Sequence, residues 1–281
     1  MQNLSFPGYT FLHGNCTIYY EVYGEGPRVL FFNGSGLTLE SSANLITALS
    51  HKCRVAAHDQ RGLGKSGIPE GPYSMADYAA DGAALLDEVG WSRCAVVGFS
   101  FGGMVAQEFA VTFPERIQRL VLMCTSPGGT LGASFPLHEL ALLPVEERLK
   151  KMPLLTDSRF TNEWLAEHPA DSAIVAEAGR RISVQKSKRQ LKGERFQLEA
   201  RRHHDVGDRL HRILCTTFVA AGRYDGLASV ANSEAIVSRI PDAQLHVYEG
   251  GHIFFAQDPN AMREILEFLE EESVASAGSH S

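Results

Sequence analysis

The residues Gly98-Phe99-Ser100-Phe101-Gly102-Gly103 set a serine among glycines, directly after an apolar run and directly before an amphipathic one. A serine hydroxyl is a weak nucleophile until a neighbouring base takes its proton. G-x-S-x-G between a strand and a helix suits that task. The tight turn crowds neighbouring backbone, so its flanking positions must be small, and the helix N-terminus favours developing negative charge. Two further residues complete the set. Asp225 lies in Gly222-Arg223-Tyr224-Asp225-Gly226 and His252 in Gly250-Gly251-His252, each just past the end of an apolar run. Singly, the three read equally well as a glycine-rich turn, a helix-capping carboxylate and a packed loop histidine. Jointly, serine then aspartate then histidine, each beyond a predicted strand end, point to acyl transfer. Ser100 would attack, His252 would take its proton, and Asp225 would hold the imidazole.

Other motifs fail on their surroundings. Gly62-Leu63-Gly64-Lys65-Ser66-Gly67 has the form G-x-G-x-x-G, and Gly64-Lys65-Ser66 has the form of a phosphate-loop ending. A Walker motif needs glycine where Asp59 stands, and a dinucleotide turn should open a helix, whereas Pro69, Gly71 and Pro72 follow. His203-His204-Asp205 with His211 could suggest a metal site. Adjacent helical histidines point about 100° apart, so a solvated helix face is the expectation there. Cys16, Cys53, Cys94, Cys124 and Cys215 are odd in number and scattered, with no CxxC pair, and read as small buried hydrophobes. The chemistry calls for no metal and no cofactor.

An α/β sheet must position these residues, because short apolar runs alternate with amphipathic stretches. Tyr9–Leu12 and Thr17–Tyr23 predict a hairpin turning at Gly14-Asn15. Arg28–Asn33, Cys53–Asp59, Cys94–Gly98 and Leu120–Cys124 are continuously apolar, as strands covered on both faces are. Helices are predicted at Leu45–Ser50, Ser74–Val89 and Phe101–Phe113, the last stopped by Pro114. From about Ser126 the strand pattern halts. Helical character follows at Leu137–Lys151, Thr161–Glu167, Ala173–Val184 and Gln190–Arg202. Strands resume at Cys215–Ala221 and Gln244–Tyr248 around a helix near Val230–Ile240, and Asn260–Glu271 is the last helix. The expected organisation is a core of residues 1–127 and 210–272, a helical cap of 128–209, and a disordered tail of 273–281.

Composition sets the outer bounds. The chain has 281 residues, with 26 Lys+Arg against 33 Asp+Glu and a net charge of -7. A chain of this length buries roughly 75% of its unfolded surface, so it needs no staple. An acidic balance argues against nucleic-acid binding, which begins with a basic field. No apolar run reaches the ~20 residues of a membrane span, and Met1 to Pro7 carries no secretory pattern. A cytoplasmic location is the expectation. Charge is unevenly spread: Val145 to Arg212 holds 15 Lys+Arg and 11 Asp+Glu, a net +4 inside an otherwise acidic chain.

These features together resemble the α/β-hydrolase-fold enzymes with a helical cap, a group that includes esterases, 3-oxoadipate enol-lactonases and carbon–carbon bond hydrolases. The resemblance runs from about Tyr9 to Leu269. It includes Asp59-Gln60-Arg61-Gly62-Leu63-Gly64-Lys65-Ser66, similar to the family's D-x-R-G-x-G-x-S turn. It implies a mostly parallel sheet flanked by helices, and a serine hydrolase cleaving a small ester or lactone. Cleavage of a carbon–carbon bond in a diketone acid, and a slow hydrolase-fold receptor, stay open as alternatives. The family usually carries His-Gly after its third strand; here Asn33-Gly34 stands there. By position the resemblance assigns the oxyanion-binding N–H groups to Ser35 and Phe101. The cap would roof a pocket lined by Phe135, Pro136, Leu137, Leu140, Trp164 and Phe196, with Asn33 beneath. Its basic charge suggests a small-molecule substrate bearing a carboxylate, paired by Arg180, Arg181 or Arg189.

Overall fold

The computed structural model describes residues 7–271, so the tail expected at 273–281 lies outside the described residues. Eight strands form one sheet in the order β1-β2-β4-β3-β5-β6-β7-β8. They are β1 (Tyr9–His13), β2 (Cys16–Tyr23), β3 (Arg28–Phe32), β4 (Arg54–Asp59), β5 (Cys94–Phe99), β6 (Ile117–Met123), β7 (Thr216–Gly222) and β8 (Ala243–Tyr248). β1 pairs antiparallel with β2 and β2 with β4; every other pairing is parallel.

Alternation along each strand feeds two cores. Leu30, Phe32, Cys94 and Val96 face α2 (Met75–Glu88) and α3 (Phe101–Thr112). Val29, Phe31, Ala95 and Val97 face α1 (Ala43–Ser50) and α10 (Pro259–Glu270). Burial on both faces is why these strands read as unbroken apolar runs.

The D-x-R-G-x-G-x-S turn is an architectural clamp. Asp59 Oδ1 accepts from Leu39 N at 2.8 Å and Oδ2 from Lys65 N at 2.8 Å, while Ser66 Oγ donates to the Asp59 carbonyl. Arg61 grips the buried Asp81 through Nε at 2.6 Å and Nη2 at 2.7 Å. Gly64 has φ +53°, and a Cβ there would lie 2.1 Å from Asp59 Oδ2, so the turn needs glycine.

Between β6 and β7 lie α4 (Leu137–Leu140), α5 (Val145–Thr156), α6 (Asn162–Glu167), α7 (Pro169–Ser183) and α8 (Lys188–Arg202). The single helix expected over Leu137–Lys151 is two. Pro144 has no N–H to give a helix interior and instead sits just ahead of α5, where its missing donor costs nothing. α9 (Val230–Val237) returns the chain to the sheet. Among the described residues no helix is long and apolar enough to cross a membrane.

Candidate active site

Ser100 occupies the turn from β5 into α3 with φ 55° and ψ -114°, a conformation that costs a non-glycine residue strain. The surroundings hold it there. Ser100 N donates to Met123 O at 2.8 Å, and its carbonyl accepts from Gly103 N at 2.9 Å. The flanking glycines are obligatory by contact: a Cβ on Gly98 would lie 2.3 Å from Gly102 O, and one on Gly102 would lie 2.0 Å from Phe32 O. Strain at this position therefore depends on side chains that are absent next to it.

Asp225 and His252 leave the ends of β7 and β8 on neighbouring loops, packed so closely that a Cβ on Gly222 would meet Gly251 O at 1.9 Å. His252 Nδ1 stands 2.7 Å from Asp225 Oδ2, and Nε2 stands 2.9 Å from Ser100 Oγ. A carboxylate can only accept, so Nδ1 carries the proton and Nε2 offers its lone pair to the serine hydroxyl. Asp225 Oδ1 is fixed by Leu227 N at 2.7 Å and Ala228 N at 2.9 Å. All three residues are buried. Cys124 lies beside them at the end of β6; burial, then the Asp225 carboxylate, pushes its thiol well above the usual range, so it stays protonated.

Facing the elbow, the loop after β3 is tightly bonded. Gly34 N donates to Asn33 Oδ1 at 2.9 Å, Leu37 N to Gly34 O at 3.2 Å and Gly36 N to Gln197 Oε1 at 2.7 Å. Ser35 N–H has no acceptor among the described residues. Phe101, first in α3, likewise has no helical acceptor for its N–H. A strained serine, an oriented imidazole and two unused N–H groups can attack a carbonyl and receive the charge that develops.

The sequence profile of the α/β hydrolase fold matches residues 27–259. The chain belongs to that family. It is 31% identical to a poly(3-hydroxyalkanoate) depolymerase from Ectopseudomonas oleovorans over 87% of this chain and 84% of the relative. It is 28% identical to 3-oxoadipate enol-lactonase 2 from Acinetobacter baylyi over 88% of this chain and 91% of the relative. The crystal structure of the enol-lactonase from Burkholderia xenovorans LB400 superposes with a TM-score of 0.78 at 21% identity, covering 94% of this chain and all of that one (100%).

In this α/β hydrolase an apolar cavity of about 280 Å³ opens beside Ser35, walled by Leu137, Leu140, Met152, Ile182 and Leu198. Of the residues expected to line a pocket, Leu137 and Leu140 line this one, and Pro136 borders a separate cavity instead. Trp164 does not: its indole N–H donates to Asp171 at 2.8 Å, His168 stacks on it at 3.8 Å, and Arg159 covers the ring. Phe196 packs on Tyr73 at 4.9 Å, and Phe135 serves through its backbone, donating to Leu227 O at 2.7 Å. Asn33 braces the loop from below, its Nδ2 donating to Thr38 O at 3.0 Å and its Oδ1 accepting from Ser42 Oγ at 2.7 Å. Of the three arginines expected near substrate, only Arg181 borders the cavity; Arg180 is exposed and tied to Glu177.

Sequence reasoning missed the residues by which the helical segment grips the site. Gln197 of α8 accepts from Gly36 N, and its Nε2 donates to Gln60 Oε1 at 3.4 Å, while Gln60 Nε2 in turn donates to Asn33 O at 2.7 Å. At the end of α5, Thr156 O accepts from His252 N at 2.6 Å and Leu155 O from Gly226 N at 3.1 Å. Carbonyl roles carry no signature in side-chain type. Gln197 shares α8 with a second uncharged glutamine, Gln190, so its residue type did not single it out.

Proposed function

We propose that this protein is a serine hydrolase that cleaves a small carboxylic ester or lactone through an acyl-enzyme. The observation that carries the reading is the relay from Asp225 through His252 to Ser100, at 2.7 and 2.9 Å. Ser100 Oγ attacks the carbonyl carbon as its proton passes to His252 Nε2. Asp225 keeps the proton on Nδ1 and stabilises the imidazolium that forms. The tetrahedral oxygen sits between Ser35 N–H and Phe101 N–H, where one donor is worth about 3 kcal/mol. The imidazolium then protonates the leaving alkoxide. Water, deprotonated by the same nitrogen, releases the acid. The relatives named as a polyester depolymerase and an enol-lactonase both act on such bonds, which supports this reaction class.

The apolar cavity beside Ser35 suits the acyl side of the substrate. Arg148 also borders it, with Nε buried and no ion pair among the described residues, and would meet a carboxylate at the far end.

Hydrolysis of p-nitrophenyl butyrate by wild type and Ser100→Ala, with intact mass spectrometry, tests the mechanism. The expected result is a burst and a butyryl adduct in wild type, with kcat reduced at least ~10⁴-fold in the variant. Turnover that survives the substitution would overturn the reading. Mono-p-nitrophenyl succinate beside the butyrate ester tests the carboxylate. The anionic ester should have the higher kcat/KM, and the advantage should vanish in Arg148→Gln; a faster neutral ester sinks that part alone.

A further inference from the structure

A second cavity, of about 380 Å³, lies between the chain leaving β6 and the end of α8, and shares no lining residue with the cavity beside Ser35. Its wall is unusual in what it leaves unpaired. Arg201 Nε, Ser126 Oγ, His138 Nδ1 and one ring nitrogen of His204 are buried in residues bordering it, without a hydrogen-bond partner among the described residues. The Ser126 carbonyl accepts from Gln107 Nε2 at 3.1 Å and turns its second lone pair toward the His204 ring. Buried polar atoms in native proteins are paired almost without exception, so such a concentration around one space points to an occupant.

Arg201 defines what that occupant is. It is only 7% exposed, and its Nη1 and Nη2 bond neutral acceptors, Phe135 O at 2.8 Å and Ser134 Oγ at 2.7 Å. No acidic side chain pairs with it among the described residues. A buried guanidinium without a counter-charge is costly, and burial alone pulls its pKa down to about 10. Arg201 Nε can only donate, the Ser126 hydroxyl can donate or accept, and each neutral imidazole offers one N–H. The one acidic group at the rim, Asp205, is exposed to solvent, as are Arg202 and His203. The complement of a wall with a buried guanidinium and further N–H and O–H donors is an anionic group that accepts.

We propose that this cavity is a binding site for a small carboxylate or phosphate anion, held by Arg201 with Ser126, His138 and His204, and separate from the candidate catalytic centre. The site goes beyond the hydrolase reading and does not depend on it. Its test is binding to the intact protein, followed through the Arg201 Nε–H resonance in ¹H–¹⁵N spectra at constant ionic strength. Acetate and succinate form one arm and inorganic phosphate the other. A saturable shift of that resonance at millimolar anion is expected, and the arm that produces it identifies the source. Followed in the variants through the backbone amide resonances of Ser126 and His204, which border the same cavity, binding should weaken at least about tenfold in Arg201→Gln and stay unchanged in Arg148→Gln, which alters only the other cavity. If Arg201→Gln does not fold, the wild-type resonance still decides. No anion-dependent shift, or binding indifferent to Arg201→Gln, overturns the proposal and leaves a cavity that holds water only.

Discussion

From β3 to β7 the sheet buries almost every side chain, and its residues are apolar with few exceptions. The helices between β6 and β7 do the reverse: α5, α6 and α7 bury no residue fully, and charge covers them. Yet both regions touch the candidate site. The sheet supplies the serine, aspartate and histidine from strand ends whose positions close packing fixes. The helical segment supplies carbonyls and one glutamine that hold the loops those residues stand on. Precision thus comes from the dense region, and the sparse region acts where it bonds backbone.

The same substitution should separate the two regions by sign. Gly102→Ala would drive a Cβ to 2.0 Å from the Phe32 carbonyl, backbone that cannot yield, and should destabilise by about 3 kcal/mol or more. In α7, the nearest atom to a Cβ on Gly179 is Leu149 Cδ2 at 3.5 Å, ordinary contact, so Gly179→Ala should stabilise by roughly 0.5–1 kcal/mol. Urea unfolding of the pair would measure both. Two destabilisations of equal size would erase the contrast.

Each region also buries a neutral histidine. Burial holds His58 in β4 and His204 after α8 down to about 4, below the ordinary 6.5. Between those values the unfolded chain binds the extra protons, so stability is full above 6.5 and falls as pH drops toward 4. The loss is at most about 3 kcal/mol for each histidine. His58→Leu should flatten the pH slope by half; an unchanged slope would mean His58 titrates normally.

A smaller effect should come from Gln197→Leu. It leaves Gly36 N–H without its acceptor and loosens the loop that carries Ser35. Ester kcat should fall about tenfold, with little change in KM or in stability. If KM rose and kcat held, Gln197 would be a substrate contact and not a brace.

How much of this was legible in the sequence follows the same division. The strands were readable because burial on both faces leaves unbroken runs such as Val29–Phe32 and Ala95–Val97. Ser100, Asp225 and His252 were readable because strand ends and glycines mark them. The resemblance to α/β hydrolases with a cap carried the mostly parallel sheet and the family. In the helical segment the reading thinned. Trp164 looked like pocket lining because apolar area is visible in sequence and the Asp171 and His168 that occupy it are not. His204 was expected on a solvated face but is 4% exposed, since a helix end that turns into the core buries one histidine of an adjacent pair. Arg201 stands among charges in KRQLKGERFQLEARR, and nothing in that string distinguishes the one that is buried.

The bonds from Thr156 and Leu155 to the loops of His252 and Asp225, with Gln197 gripping the loop of Ser35, bear on how this protein can be rebuilt. A helical segment that only shaded the pocket could be exchanged between relatives to transplant specificity. Here a wholesale swap of residues 128–209 would carry away the scaffolding of the machinery it was meant to re-aim. A workable chimera keeps the stretch around Leu155–Asp157 and the glutamine at 197, and draws its diversity from α6 and α7, where no side chain is fully buried.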